Sequence, residues 1–326
     1  MILRRCSRCL TLNINIPRPP PGGGKKKRSD IMQIDSSLTG TKTKAYCTTV
    51  SWRSAMNYAA AVNDSNEAYF DDEREGGIIA HPMYTVALTW PISGNIAEYI
   101  ESSKFPLDII SRQVHFTEHI EFHNPVRPGD NLTIKGRIAS IAPHKAGTHV
   151  IMRYDAYDKK GVPVFTEHTG AIARGVECIG GASGTDEIPS VPDRRGGIDS
   201  RETIIPISPV APFIYDGCTD IFFPIHTSEK FAKMVGLPGI ILQGTATLAF
   251  AVKEIINMEA GGDPLKLKQV FCKFTGMVKP GTDIRLIHSA ARGEKGQKDI
   301  FFNVQNSEGE RAISGGYADI LQAHDW

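Results

Sequence analysis

The 326-residue sequence has no run of 18 or more apolar residues, so it offers no candidate for a membrane-spanning helix. Cysteine is sparse. Cys6, Cys9, Cys47, Cys178, Cys218 and Cys272 are scattered through a long chain, which fits reduced thiols inside a cell rather than a disulfide framework. Cys6 and Cys9 form a lone CxxC with no matching pair nearby, so a structural zinc site would lack half of its ligands. A phosphate loop is missing as well. Gly22-Gly23-Gly24-Lys25 has neither the GxxxxGK[ST] spacing nor an apolar strand before it. A net charge of +1 leaves no excess of one sign, although the charge is unevenly spread. Residues 1–30 hold eight basic residues against one acid, leaving 29 basic and 35 acidic residues for the rest. A mildly acidic body argues against a nucleic-acid-binding surface.

What is present begins with that basic head. Together with Pro17, Pro19, Pro20, Pro21 and three glycines it reads as a disordered tail over residues 1–45. A cytoplasmic protein is expected, or a mitochondrial one if residues 1–30 are a transit segment. The remainder repeats itself. Val126-Arg127-Pro128-Gly129 returns as Val278-Lys279-Pro280-Gly281, and Gly77-Ile78-Ile79 returns as Gly239-Ile240-Ile241. Two echoes in one order divide the chain into a first domain at 46–176, a Gly/Pro-rich linker at 177–203 and a second domain at 204–326. In each, helical segments precede strands. The spacing predicts helices over 52–62, from 81 or 82 to an interruption at Pro91, over 207–215, 228–235 and 244–258. Strands are predicted at 115–122, 131–141, 148–158, 162–173, 268–274, 283–291, 298–306 and 310–320. Ala246, Leu248, Ala249, Phe250, Val252, Ile255 and Ile256 cover most of the 244–258 helix, which predicts burial all round. The architecture expected is α+β, with each domain a long helix wrapped by an antiparallel sheet.

His226 stands out chemically. It lies on a Pro-containing loop, Phe223-Pro224-Ile225-His226-Thr227, ahead of Ile240-Ile241-Leu242-Gln243-Gly244-Thr245, where the buried helix opens. An imidazole near the first amides of a helix suits proton transfer beside a developing oxyanion. His115, His119 and His123 alternate with apolar residues on a predicted strand, and are spread too far along it for a compact three-ligand metal site. Lys279 and Arg127 precede turns, where they could meet phosphates or simply be solvated.

These segments, with Asn63-Asp64-Ser65-Asn66-Glu67-Ala68-Tyr69 and Ile79-Ala80-His81-Pro82 in the first domain, resemble the MaoC-like acyl dehydratases, which include the R-specific enoyl-CoA hydratases. The resemblance spans roughly 46–175 and 204–322. It implies tandem hotdog domains and reversible hydration of a 2-enoyl-CoA, without metal or consumed cofactor. In the family pattern D-x-N-P-x-H, an Asp–His dyad holds a water, and amides at the helix start hold the thioester oxygen. Carried over, the histidine is His226 and the helix-start glycine is Gly244, with Thr245, Gln243, Ile225 and Phe223 around the substrate. The sequence departs from the pattern in having Ile221 five residues before His226, Phe223 in place of Asn, and Gln243 where His is common. Asp220, one place off register, is the expected partner of His226, with Asp216 or Tyr215 next. The first domain keeps Asp64 and Asn66 but has Tyr69 at the histidine position, forming either a relic site or only a tight turn. Two other readings stay open: a non-catalytic acyl-CoA-binding or partner subunit, and a hotdog thioesterase. A homodimer, or association with another acyl-CoA-processing subunit, is compatible with either.

Overall fold

The computed structural model describes residues 31–185, 188–192, 200–293 and 296–322. Twelve strands and six α-helices are described. In chain order they are β1 (Gln33–Asp35), β2 (Tyr46–Thr49), α1 (Trp52–Ala61), α2 (Thr85–Ser93), α3 (Ile96–Tyr99), β3 (Gln113–Phe122), β4 (Asn131–His144), β5 (Gly147–Tyr157), β6 (Pro163–Arg174) and β7 (Glu177–Ile179). They continue with β8 (Ser200–Pro206), α4 (Ala211–Thr219), α5 (Glu229–Met234), α6 (Gly244–Glu259), β9 (Leu267–Phe274), β10 (Asp283–Arg292), β11 (Gln297–Gln305) and β12 (Arg311–Leu321). Ten of the strands form one antiparallel sheet in the order β2-β4-β5-β6-β3-β9-β12-β11-β10-β8. Read outward from the central β3–β9 pair, the two halves match strand for strand, as a duplicated unit must. The seam pairs Ile120 with Val270 and Thr117 with Lys273.

The two sequence echoes have a shared structural cause. Gly129 and Gly281 adopt φ of +90° and +78°, a region glycine enters without steric cost. Their N–H groups donate to Val50 O (2.9 Å) and Ile207 O (3.1 Å), just before the first helix of each half. The carbonyls of Val126 and Val278 accept from Ala80 N (2.8 Å) and Leu242 N (2.9 Å), just before the second. One turn thus ties down both helices of its half. The sheet wraps α6, whose Ala246, Ala249 and Ala251 are wholly inaccessible and let the strands approach closely. Its counterpart α2 has nine residues against sixteen. Pro91, which has no N–H to donate, lies in its last turn, and the helix ends two residues later at Ser93, with Gly94 as its C-cap.

Two boundaries differ from the expectation. Residues 32–45 are ordered, not part of an unstructured tail: β1 pairs in parallel with β7, placing Ile34 beside Cys178, and Thr43 N donates to Gly136 O at 2.9 Å. Ile34 and Leu38 supply the apolar anchors, packing with Ile138, Ile141 and Val176. The second half begins at 200 rather than 204, because β8 is an edge strand on β10 within the expected linker. The basic stretch 1–30, including Cys6 and Cys9, lies outside the described residues.

Among the described residues, two glutamates are buried in the first half. Glu118 and Glu167 are 1% and 2% exposed, and Thr89 Oγ1 on α2 donates to Glu167 at 3.0 Å. Glu118 lies 3.0 Å from His115 Nε2, but burial pushes that imidazole down to about 4, so no cation compensates it at neutral pH. Burial raises both carboxyls well above their ordinary 4.5, and each charge would repel the other. An acid held protonated in the fold but free to ionise when unfolded stabilises most below 4.5, and loses that stabilisation as pH rises toward its folded value. Melting temperature should therefore fall as pH rises above about 4.5, and Glu118→Gln/Glu167→Gln should flatten that decline. An identical pH dependence in the double variant contradicts the assignment.

Candidate active site

The loop from Ile221 to Ser228 is made of turns: His226 N donates to Phe223 O (3.0 Å) and Ser228 N to Pro224 O (2.9 Å). Ser228 then caps α5 by accepting from Phe231 N at 3.2 Å. A reciprocal pair of hydrogen bonds joins this loop to the segment entering α6. Ile241 N donates to Ile225 O (3.3 Å), and His226 Nδ1 donates to Ile241 O (2.8 Å). A carbonyl oxygen can only accept, so Nδ1 carries the proton and Nε2 of the neutral ring keeps its lone pair. Burial drives the His226 imidazole down to about 4, while the bond to Ile241 acts the other way. At pH 7 the ring is a neutral base anchored three residues before Gly244.

The start of α6 is uncapped. Gln243 is 2% exposed, but its amide Nε2 turns back to donate to Pro212 O at 3.0 Å, and no side chain accepts from the first-turn amides. Those N–H groups have no intrahelical partner, and the helix dipole is positive there. Gly244 matters sterically: a Cβ at this position would lie 3.1–3.4 Å from the Phe274 ring. The Thr245 hydroxyl accepts from Tyr215 OH at 3.0 Å, and Tyr215 OH is 2.9 Å from Tyr58 OH. This buried hydroxyl chain links α6 to α1 of the other half.

The expected residues do not all converge. Ile225 and His226 are tied to Ile241, three residues before Gly244, whereas the Gln243 and Thr245 side chains bond Pro212 O and Tyr215 OH. Phe223 is 45% exposed and packs edge-on against Phe231. Asp220 caps the end of α4 in the left-handed region, with φ +58°. Among the described residues neither Asp220 nor Asp216 comes within ion-pair or hydrogen-bonding distance of His226. Thr219 Oγ1 bonds Tyr215 O (2.6 Å) and Ile221 N (3.2 Å), so the turn after α4 is fixed in another direction.

In the first half, Asp64 Oδ2 lies 3.6 Å from His81 Nε2, both side chains buried, with the hydroxyl of inaccessible Tyr69 unpartnered nearby. His81 follows Gly77-Ile78-Ile79 at the place Gln243 takes after Gly239-Ile240-Ile241. That echo was the available signal for this pair, which sequence reasoning had missed. The equivalent start, a 3-10 turn at Pro82–Tyr84 that runs into α2, is closed, however. Pro82, at the position of Gly244, has no N–H, and His81 Nδ1 accepts from Met83 N at 3.1 Å. Asp64 Oδ1 and Asn66 Oδ1 accept from Asn66 N and Ala68 N, giving Asx turns. The uncapped glycine start on α6 therefore has no counterpart on α2.

Comparisons agree with this layout. The family model for the FAS1-like dehydratase domain region matches residues 37–167, and that for the MaoC-like domain matches residues 200–312. A peroxisomal enoyl-CoA hydratase 2 from Arabidopsis thaliana is 24% identical over 265 residues, covering 79% of this chain and 83% of that protein. A UPF0336 protein of Streptomyces coelicolor is 30% identical over 155 residues, 45% of this chain and 99% of that protein. The crystal structure of a MaoC-like dehydratase from Phytophthora capsici shares the fold, with a TM-score of 0.72 at 22% identity over 87% of this chain and 97% of that one. The chain belongs to the MaoC-like dehydratase family, with two hotdog domains in tandem.

Proposed function

We propose that this chain reversibly hydrates 2-enoyl-CoA thioesters, and that His226 is the single acid/base group of the reaction. The supporting observation is the 2.8 Å bond from Nδ1 to Ile241 O, three residues before an uncapped helix start, which leaves Nε2 as the bare base of the ring. Water adds through its oxygen to the β-carbon while Nε2 takes its proton. Electron density moves onto the thioester oxygen, where the Gly244 N–H stabilises the enolate. The imidazolium then returns the proton to the α-carbon, so one water is added and the neutral ring is restored. Dehydration of the 3-hydroxyacyl thioester is the same path reversed. Phe222 and Phe223, each 45% exposed beside this loop, suit an acyl substrate better than a polar one.

The test is turnover of crotonyl-CoA by the purified chain, following loss of the enoyl absorbance and release of thiol separately. Hydration without thiol release is expected. Thiol release would make the protein a thioesterase, a chemistry for which α6 is poorly equipped: its first acid short of the C-terminal turn is Glu254, paired with Lys253 at 3.0 Å. Binding without turnover would favour a partner subunit, in keeping with there being no carboxylate bonded to His226 among the described residues. The pH profile provides a further check. The base works only when neutral, so the acid limb of kcat/KM should fall near pH 4 rather than near 6.5. A limb at the ordinary imidazole value would rule out the buried ring as the base.

A further inference from the structure

The histidines on β3 and just after it do not act as one row, because β3 has a bulge between His115 and Thr117. His115 is diverted to Glu118, 3.0 Å away, and His123 Nε2 bonds Thr166 Oγ1 at 3.1 Å. His119 instead finds a partner across the sheet. It pairs directly with His168 on β6, while Ile120 pairs with Glu167 and points to the other, helix-covered face. Glu121, two residues from His119, shares its face. Ligand atoms of His119, Glu121 and His168 all lie within 4.8 Å of one another.

This cluster lacks the partners that buried polar groups normally have. His168 is 3% exposed and neither ring nitrogen has a hydrogen bond; His119 is 4% exposed and its Nδ1 has none. Leaving such atoms unpaired is costly. His119 Nε2 donates to Gln269 Oε1 at 3.0 Å, which fixes the tautomer with a bare Nδ1, the arrangement by which an outer carboxamide or carboxylate orients a metal-binding imidazole. His168 and Glu121 line a cavity of about 320 Å³ that also receives Arg153 and Asp155. Asp155 holds Arg153 through three contacts of 2.8–3.0 Å, so this guanidinium is paired rather than free beside the cluster.

We propose that His119, Glu121 and His168 form a three-ligand site for a borderline divalent transition-metal ion, zinc(II) being the reference, with an open position facing the cavity. Two imidazoles and one carboxylate match zinc better than calcium or magnesium, which favour all-oxygen shells. Tetrahedral ligands on zinc lie roughly 3.3 Å apart, so side-chain rotation has to close about 1.5 Å. The site lies on strands that carry none of the groups assigned to hydration.

The test titrates the full chain, carrying Cys6→Ser and Cys9→Ser to remove the tail thiols, with cobalt(II) and then zinc(II). One cobalt per chain, with visible d–d absorption displaced by zinc, is expected, while calcium and magnesium leave the protein unchanged. His168→Gln and Glu121→Gln should each weaken binding by more than the roughly 10–100-fold cost of losing an outer-shell partner. Zinc should raise the melting temperature of the parent but not of His168→Gln, with circular dichroism confirming that each variant is folded. No uptake by the folded parent, or unchanged affinity in both variants, overturns the site. Crotonyl-CoA hydration by the metal-free protein is unaffected in either event, so this test and that of the hydratase reading fail separately.

Discussion

Replacing His226 with alanine is expected to lower kcat/KM for hydration of crotonyl-CoA by roughly 10²–10⁴-fold, the usual contribution of a positioned acid/base group. The loss should be at the high end, because among the described residues no other titratable group bonds the imidazole and the same nitrogen both takes and returns the proton. Most of the effect should appear in kcat, since the imidazole acts on water and on the α-carbon rather than on the coenzyme. Stability should change little. The side chain is only half-buried, and the single bond it donates, to Ile241 O, can be replaced by water. A variant that stays folded and retains more than about a tenth of the parent activity would remove His226 from the chemistry and restore the partner-subunit reading.

The second large effect concerns one N–H. Gly244→Pro deletes the first amide of α6 and reproduces in the second half what Pro82 already does in the first. Proline is well tolerated at the first position of a helix, so α6 should still form. The added ring atoms will meet Phe274, whose ring lies 3.1–3.4 Å from where a Cβ would stand. Gly244→Ala is therefore the necessary companion, adding a Cβ while keeping the amide. Relative to alanine, the proline variant should lose a further 10²–10³-fold in kcat, the usual cost of removing one oxyanion donor. Equal rates in the two variants would mean that the enolate oxygen is held elsewhere. Thr245 would then be the next candidate, although its hydroxyl already accepts from Tyr215.

Periodicity and turn chemistry carried most of the fold. The predicted strand at 283–291 is Asp283–Arg292, and the predicted helix at 244–258 is Gly244–Glu259. Their apolar spacing is local, and a glycine or a reversal marks each end. The strands missed were the short edges, β1, β2, β7 and β8, of three to seven residues, whose pairing comes from chain far away in sequence. Ile34 looks like part of a polar tail until it lies beside Cys178.

The site divides in the same way. The sequence by itself determined that a histidine on a proline loop precedes a glycine-opened apolar helix, and that the chain is a duplicated unit of a buried helix and antiparallel strands, because those features depend on residue type and spacing over short stretches. Only the tertiary structure decided which ring nitrogen of His226 is bare, that Asp220 turns away from it, that Pro82 and His81 close the helix start in the first half, and that His119 faces His168. Each of these depends on a bond or a register between segments tens of residues apart. Spacing along one strand or one loop carries no trace of such a partner until the chain has packed.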